Sequence, residues 1–239
     1  MDDGVAMPMH LHRDLERLKR DILTMGSMVW DAINAAITAL VDRRPELAQE
    51  VLSADDAIDE REVEIEEECL KLLALHQPVA TDLRFIISIL KVNNDLERMG
   101  DLAINIAERA AHISTARPPV SAPVDFPAMV ESVRKMVDLC LEALVNRDTA
   151  QARAVLAMDD EVDDYNRDMF VVLQELMRRS PEKVECAVHW LSASRHLERI
   201  ADLATNIAED VVFMVEGRLI RHQHEIELPG GPDDARRGA

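Results

Sequence analysis

Apolar residues recur at three- and four-residue steps through most of this chain, the spacing that lines one face of an α-helix. In the last third Val184, Ala187, Leu191, Leu197, Ile200, Ala204, Ile207 and Val211 mostly keep that period, while Val188, Leu191, Ser194/Arg195, Glu198 and Asp202 form a neighbouring stripe. Punctuation divides the pattern: Pro45 follows Arg43-Arg44, Gln77-Pro78 and Ser180-Pro181 interrupt it, and the proline-rich segment 117–124 reads as a linker. Proline starts a helix readily but disfavours continuation from before it. Six helices are predicted, at about 9–43, 46–75, 78–114, 125–147, 149–178 and 181–217. The segment 218–239, with Pro229-Gly230-Gly231-Pro232, reads as a disordered tail.

The chain repeats itself. Leu96-Glu97-Arg98-Met99-Gly100-Asp101-Leu102-Ala103-Ile104-Asn105-Ile106-Ala107-Glu108 returns at 197–209 with ten of thirteen positions identical, an offset of 101. Residues 39–59 match 143–163 at an offset of 104, again with ten identities, so a three-residue indel lies between the two matches. Short joints make sequential helices antiparallel neighbours. The fold class is therefore all-α, two tandem antiparallel three-helix bundles spanning 9–116 and 125–217, produced by duplication.

A helix needs its apolar period repeated, but not one polar triplet, and Glu97, Asp101 and Asn105 return as Glu198, Asp202 and Asn206. The duplication also keeps Asp55-x-x-x-Asp59 as Asp159-x-x-x-Asp163. Residues four apart share a helix face. Each pair lies about twenty residues from its turn, or ~30 Å at the helical rise, so the two pairs of each half stand at one level on adjacent helices. Axes about 8–10 Å apart let four carboxylates converge. Like charges so placed repel unless cations intervene, and an all-oxygen cluster suits hard or borderline cations. A single E-x-x-x-D on a helix is ordinarily a solvated face; matching levels in two halves favour the metal reading.

Charge narrows the partners. Lys and Arg number 27 against 46 Asp and Glu, a formal charge of −19. That excess speaks against nucleic acid or an anionic membrane held by charge, since both need basic stripes. Cys69, Cys140 and Cys186 lack paired spacing and read as buried, reduced thiols of a cytosolic protein. Met1-Asp2-Asp3-Gly4 starts no apolar leader, and no apolar run is expected to span a membrane. His76, His112, His189 and His196 read as single, partly exposed helix residues, and His222 and His224 as unorganised tail residues. E-x-x-H, Walker A, G-x-S-x-G, H-E-x-x-H and Gly-rich dinucleotide loops are missing from the sequence, so no catalytic apparatus is expected. A carboxylate-bridged metalloenzyme and a metal-free helical adaptor are the alternatives.

The segments Gln77-Pro78-Val79-Ala80-Thr81-Asp82-Leu83-Arg84, Asn94–Asp101 and Arg195–Glu209 resemble the PhoU family of bacterial phosphate-transport accessory and phosphate-regulon regulatory proteins. The resemblance covers about 9–217. It implies a multinuclear metal cluster in each bundle, one on Asp55, Asp59, Glu97 and Asp101, the other on Asp159, Asp163, Glu198 and Asp202. Iron or zinc is the implied metal, with manganese or magnesium as further candidates. It implies a non-enzymatic negative regulator that couples the ATPase subunit of a high-affinity phosphate ABC transporter to a sensor histidine kinase when phosphate is ample. A cytoplasmic homodimer is expected, without nucleic acid and peripheral to the inner face of the membrane only through its partners. Departures from the family pattern fall in the second half. Ala201 stands opposite Gly100, Leu203 stands where the family commonly has His, and Asp82-Leu83-Arg84 has no equivalent. The second site is expected to hold metal less tightly or with a different nuclearity. Arg84 is assigned to packing within its half or to a partner contact.

Overall fold

The computed structural model describes residues 6–220 other than 124. Six helical rods form two bundles. The first holds α1 (Ala6–Val41), α2 (Pro45–Ser53) in line with α3 (Asp55–His76), and α4 (Ala80–Thr115). The second holds α5 (Phe126–Asn146), α6 (Thr149–Leu156) followed by α7 (Asp159–Arg179), and α8 (Val184–Glu216), which a single 3-10 turn, Pro181–Lys183, introduces.

Two rods predicted as continuous are broken, at Ala54 and at Ala157-Met158, where Ala54 N–H donates to Val51 O and Met158 N–H to Val155 O. Each break lets a second helix start at an Asp-Asp pair, Asp55-Asp56 and Asp159-Asp160, in the first turn. Negative charge is favoured there by the helix dipole. The duplicated Asp-Asp was itself a start signal. Duplication extends to backbone conformation: Arg43 and Arg147, 104 apart, both close their helices in the left-handed region at φ 55° and 53°. In both turns the next N–H bonds back to an alanine carbonyl, Arg44 to Ala39 and Asp148 to Ala143.

α1 alone meets the length and apolarity of a membrane span among the described residues, over His10–Val41, contrary to the expectation from sequence. Half of that window is buried, and Leu18, Ile22, Met25, Val29, Ile33, Ile37 and Leu40 point into the protein core. It is apolar because it packs against α3 and α4 and also reaches α5. Against α5 the approach is close: a Cβ at Gly26 would stand 2.9 Å from Leu141 Cδ2.

One contiguous apolar core runs through both bundles. Its broadest helix–helix contact is the seam between α4 and α8. These two run antiparallel, because Lys91 meets Asp210 at one end and His112 meets His189 at the other. Residues of α4 correspond to residues 101 further on in α8, so a pseudo-twofold axis crosses the seam. The linker is stapled to both halves: Val120 O accepts from Arg43 Nη2 at 2.6 Å and from Trp190 Nε1 at 3.1 Å. Trp190 is buried edge-on against Phe126. Arg84 proves to join the halves, its guanidinium lying 3.5–3.6 Å from where a Cβ on Gly217, the C-cap of α8, would stand. The tail beyond residue 220 lies outside the described residues; Ile220 still packs on the core.

Candidate metal centres

Helix breaks, helix pairing and two polar pins position the carboxylates. Asp55 and Asp59 lie on the first turns of α3, facing Glu97 and Asp101 on α4. Below them the buried Asn93 donates from Nδ2 to Glu62 O at 2.9 Å, tying α4 to α3. Between the pairs the helices approach closely at Gly100, where a Cβ would meet Ile58 Cδ1 and Cγ2 at 3.3 Å. In the second half Ala201 takes the place of Gly100 and Val162 that of Ile58, and both are buried. One carbon has moved from α3's equivalent to α4's, so the Gly-to-Ala departure is a matter of packing. The second pin is Ser194 Oγ donating to Asn166 Oδ1 at 2.5 Å.

The first set of carboxylates shares one electrostatic environment. Burial raises the Asp55 pKa, and Asp59, Asp101 and Asp56 raise it further. Burial likewise raises Glu97, followed by Asp101, Asp59 and Glu62, against a lowering by Arg98. Glu62 was missed from the sequence. It lies seven residues after Asp55, on the same stripe, and is itself raised by burial, Glu66 and Asp59.

In the second half burial, Asp202 and Asp163 raise Glu198, while Arg195 and Arg199 oppose them. Asp202 is raised by burial and by Asp163, with Arg199 opposing. Asp159 opens α7 as Asp55 opens α3, but it is not among the charges that raise Glu198 or Asp202. The halves differ in charge at matched positions: Asn166 stands for Glu62 and Arg195 for Asn94.

These donors fit an oxygen-loving cation in type, and their mutual repulsion is what a cation would relieve. Among the described residues, however, no three His, Cys, Asp or Glu side chains are gathered as a ready ligand set, so holding a cation takes side-chain rotation. One carboxylate of each set reaches a shared cleft. A cleft of about 500 Å³ at the seam is lined by Arg98, Asp101 and Asn105 from α4 and by their equivalents Arg199, Asp202 and Asn206 from α8. This shared cleft could not be read from the sequence, because it depends on how the halves pack.

All three cysteines are buried and free, and burial lifts the Cys69 thiol to about 12 and Cys140 higher still. His222 and His224 lie outside the described residues. The helix histidines are partly exposed as expected, His76 Nε2 lying 3.3 Å from Asp14 Oδ2 and His196 Nε2 3.2 Å from Ser192 Oγ, but His112 and His189 are not single and stack on each other.

Residues 22–110 and 126–211 each match the family described as the PhoU domain. The chain is 40% identical over 216 residues to a phosphate-specific transport system accessory protein PhoU homolog of Aquifex aeolicus, covering 90% of this chain and 97% of that one. The homolog of that name in Pseudomonas aeruginosa is 39% identical over 209 residues, covering 87% and 86%. Among solved structures, PhoU from Pseudomonas aeruginosa superposes with a TM-score of 0.83 at 37% identity, over 87% of this chain and 99% of that one. The phosphate transport system regulatory protein PhoU from Streptococcus pneumoniae gives 0.82 at 30%, over 88% and 99%. With a domain match in each half and both bundles superposing on solved relatives, this chain belongs to the PhoU family.

Proposed function

We propose that this protein is an accessory regulator of phosphate transport, not an enzyme, and that it couples the ATPase subunit of a phosphate ABC transporter to a sensor histidine kinase, restraining uptake and signalling when phosphate is ample. The accessory role rests on its relatives, which are named as accessory and regulatory proteins of phosphate transport. The observation that carries the mechanism is the cleft at the seam between the bundles that Asp101 and Asp202, one carboxylate of each set, line together. Asp55, Asp59, Glu62, Glu97 and Asp101 would hold cations in the first half, and Asp159, Asp163, Glu198 and Asp202 in the second. Iron or zinc comes first, then manganese or magnesium. Bound, such cations supply positive charge that ties α3 to α4 and α7 to α8. The chain's own part is to set the helices at the spacing that keeps the carboxylates level, and so to present a fixed face to partners. The working form is a cytoplasmic homodimer at the inner face of the membrane.

Deleting the gene in its host is expected to derepress phosphate uptake and phosphatase expression at high phosphate; unchanged expression rejects the regulatory reading. Elemental analysis of protein purified without chelator or metal column tests the cations separately. A metal-free adaptor is the second reading, favoured by the ungathered side chains. It predicts substoichiometric metal and undiminished partner binding by the Asp101→Ala, Asp202→Ala double variant.

A further inference from the structure

The seam between α4 and α8 has two ends that share a backbone frame and differ in chemistry. At one end Lys91 Nζ pairs with Asp210 Oδ1 at 2.8 Å and lies 5.1 Å from the centre of the Phe213 ring, while Ser88 Oγ donates to Asp210 O at 3.4 Å. Asp210 is 1% exposed. Stepping by the offset of 101 carries Ser88, Lys91, Asp210 and Phe213 onto His189, Ser192, Arg109 and His112. So where one end has a half-buried lysine paired with a buried carboxylate beside an aromatic ring, the other has two stacked imidazoles beside a guanidinium. The rings of His112 and His189 are 4.6 Å apart and inclined by 4°. His189 Nδ1 and Arg109 Nε are both buried without a hydrogen-bond partner. Arg109 Nη2 is held 2.7 Å from Glu108 Oε2.

We propose that the His112–His189 stack is an acid-released latch between the two bundles, with the Lys91–Asp210 end of the seam as its hinge. Two neutral rings stack face to face, but two imidazolium rings at that separation repel each other, and Arg109 on the same side adds a third positive charge. The charged groups that face His189 are His112 and Arg109 from α4 and Glu185 from its own helix. Burial lowers its pKa most, then His112 and Arg109, and Glu185 opposes them. The sign follows from linkage. An imidazole lowered in the closed seam is protonated more readily in the open one, so closure is fully favoured above the ordinary histidine range and weakens as pH falls through it. The Lys91–Asp210 end carries no imidazole, so opening is confined to the other end. Because Asp101 and Asp202 line the same seam, release would alter the distance between the two carboxylate sites, whether or not they carry cations.

Hydrogen–deuterium exchange of the full chain at pH 7.5, 6.5 and 5.5, corrected for intrinsic rates, tests this. Protection over 107–114 and 186–193 is expected to fall about tenfold per pH unit for each proton taken up. Protection over 85–92 and 208–215, the equivalent positions at the hinge end, is expected to change less than about twofold on the same reasoning. The His112→Phe, His189→Gln double variant copies the aromatic of the hinge end and should abolish the difference. Equal loss at both ends, or an end-selective loss that persists in the double variant, overturns the proposal. Should that variant fail to fold, imidazole NMR of the wild type with His189→Gln for assignment decides. Protonation of both rings by pH 5.5 with no change in exchange refutes the latch.

Discussion

Replacing Gly100 by Ala measures how firmly α3 is seated on α4 between the carboxylate pairs. The new Cβ would stand 3.3 Å from both Cδ1 and Cγ2 of Ile58, inside the ~3.5–4.0 Å optimum for carbon contacts. Alanine gains about 1 kcal/mol of helix propensity over glycine. Overpacking a close helix contact costs about 1–3 kcal/mol. Gly100→Ala is therefore expected to lie between neutral and about 2 kcal/mol destabilising. Ile58→Val alone removes a buried methylene and costs about 0.5–1.5 kcal/mol. In the Gly100→Ala background the same change removes one of the two crowded atoms, so it should cost nothing or restore stability. The coupling between the sites is then about 1–2 kcal/mol, well beyond the ~0.5 kcal/mol within which independent sites add. The second half already carries the exchanged arrangement, Ala201 on Val162. Urea unfolding followed by circular dichroism and by the fluorescence of Trp30 and Trp190 reads all four species. If Ile58→Val destabilises both backgrounds equally, the close approach does not set the spacing of the site and the reasoning fails.

In cation-free protein at pH 7, Glu97→Gln should stabilise by about 0.5 kcal/mol, a modest figure because the side chain is partly solvated. The sign follows from its raised pKa: folding favours the protonated acid, so the wild type's Tm should climb as pH falls from 7 towards 5, and the variant's should climb less. A Tm that drops over this range contradicts the repulsion. Titration with Mn²⁺ should fill the first site before the second, since Glu62 and Asn94 there stand against Asn166 and Arg195. Calorimetry should then show Asp101→Ala removing the tighter phase and Asp202→Ala the weaker; the reverse order would refute the charge comparison. Lys91→Met removes the ammonium from the buried Asp210 carboxylate and, with Lys91 itself a third exposed, should cost about 1.5–3 kcal/mol in urea unfolding. A loss below about 1 kcal/mol would place that pair among ordinary surface bridges.

The helical pattern and the repeat together sufficed for the all-α class, the six rods and the pairing of Asp55 and Asp59 with Glu97 and Asp101, because each depends on spacing along one or two adjacent helices. What was illegible depends on contacts between distant residues. The breaks before Asp55 and Asp159 were masked by unbroken apolar periodicity, although the repeated Asp-Asp marked them. Glu62 was passed over because its equivalent is Asn166, and a search keyed to repetition discards positions that differ. Arg84 reads in the sequence as packing within its half or as a partner contact, because its actual neighbour, the C-cap of α8, lies in the other half.

The seam shows why the differences between the halves carry as much information as their identities. A duplicated chain that folds back on itself makes an isologous contact, in which residue i meets j and the equivalent of j meets the equivalent of i. Identical halves would place the same pair at both ends of the α4–α8 seam. On the axis that symmetry persists: Arg98 and Arg199, Asp101 and Asp202, and Asn105 and Asn206 line one cleft. Off the axis it has been broken, with Lys91–Asp210 at one end and Arg109, His112 and His189 at the other. A strictly repeated Lys–Asp pair would lock the seam twice over, at the desolvation cost of two buried ion pairs. One locked end and one titratable end instead give the bundles a fixed pivot and a side that can respond to conditions. The carboxylates at the centre keep their matched geometry because the pivot and the pins at Asn93 and Ser194 hold the helices that bear them.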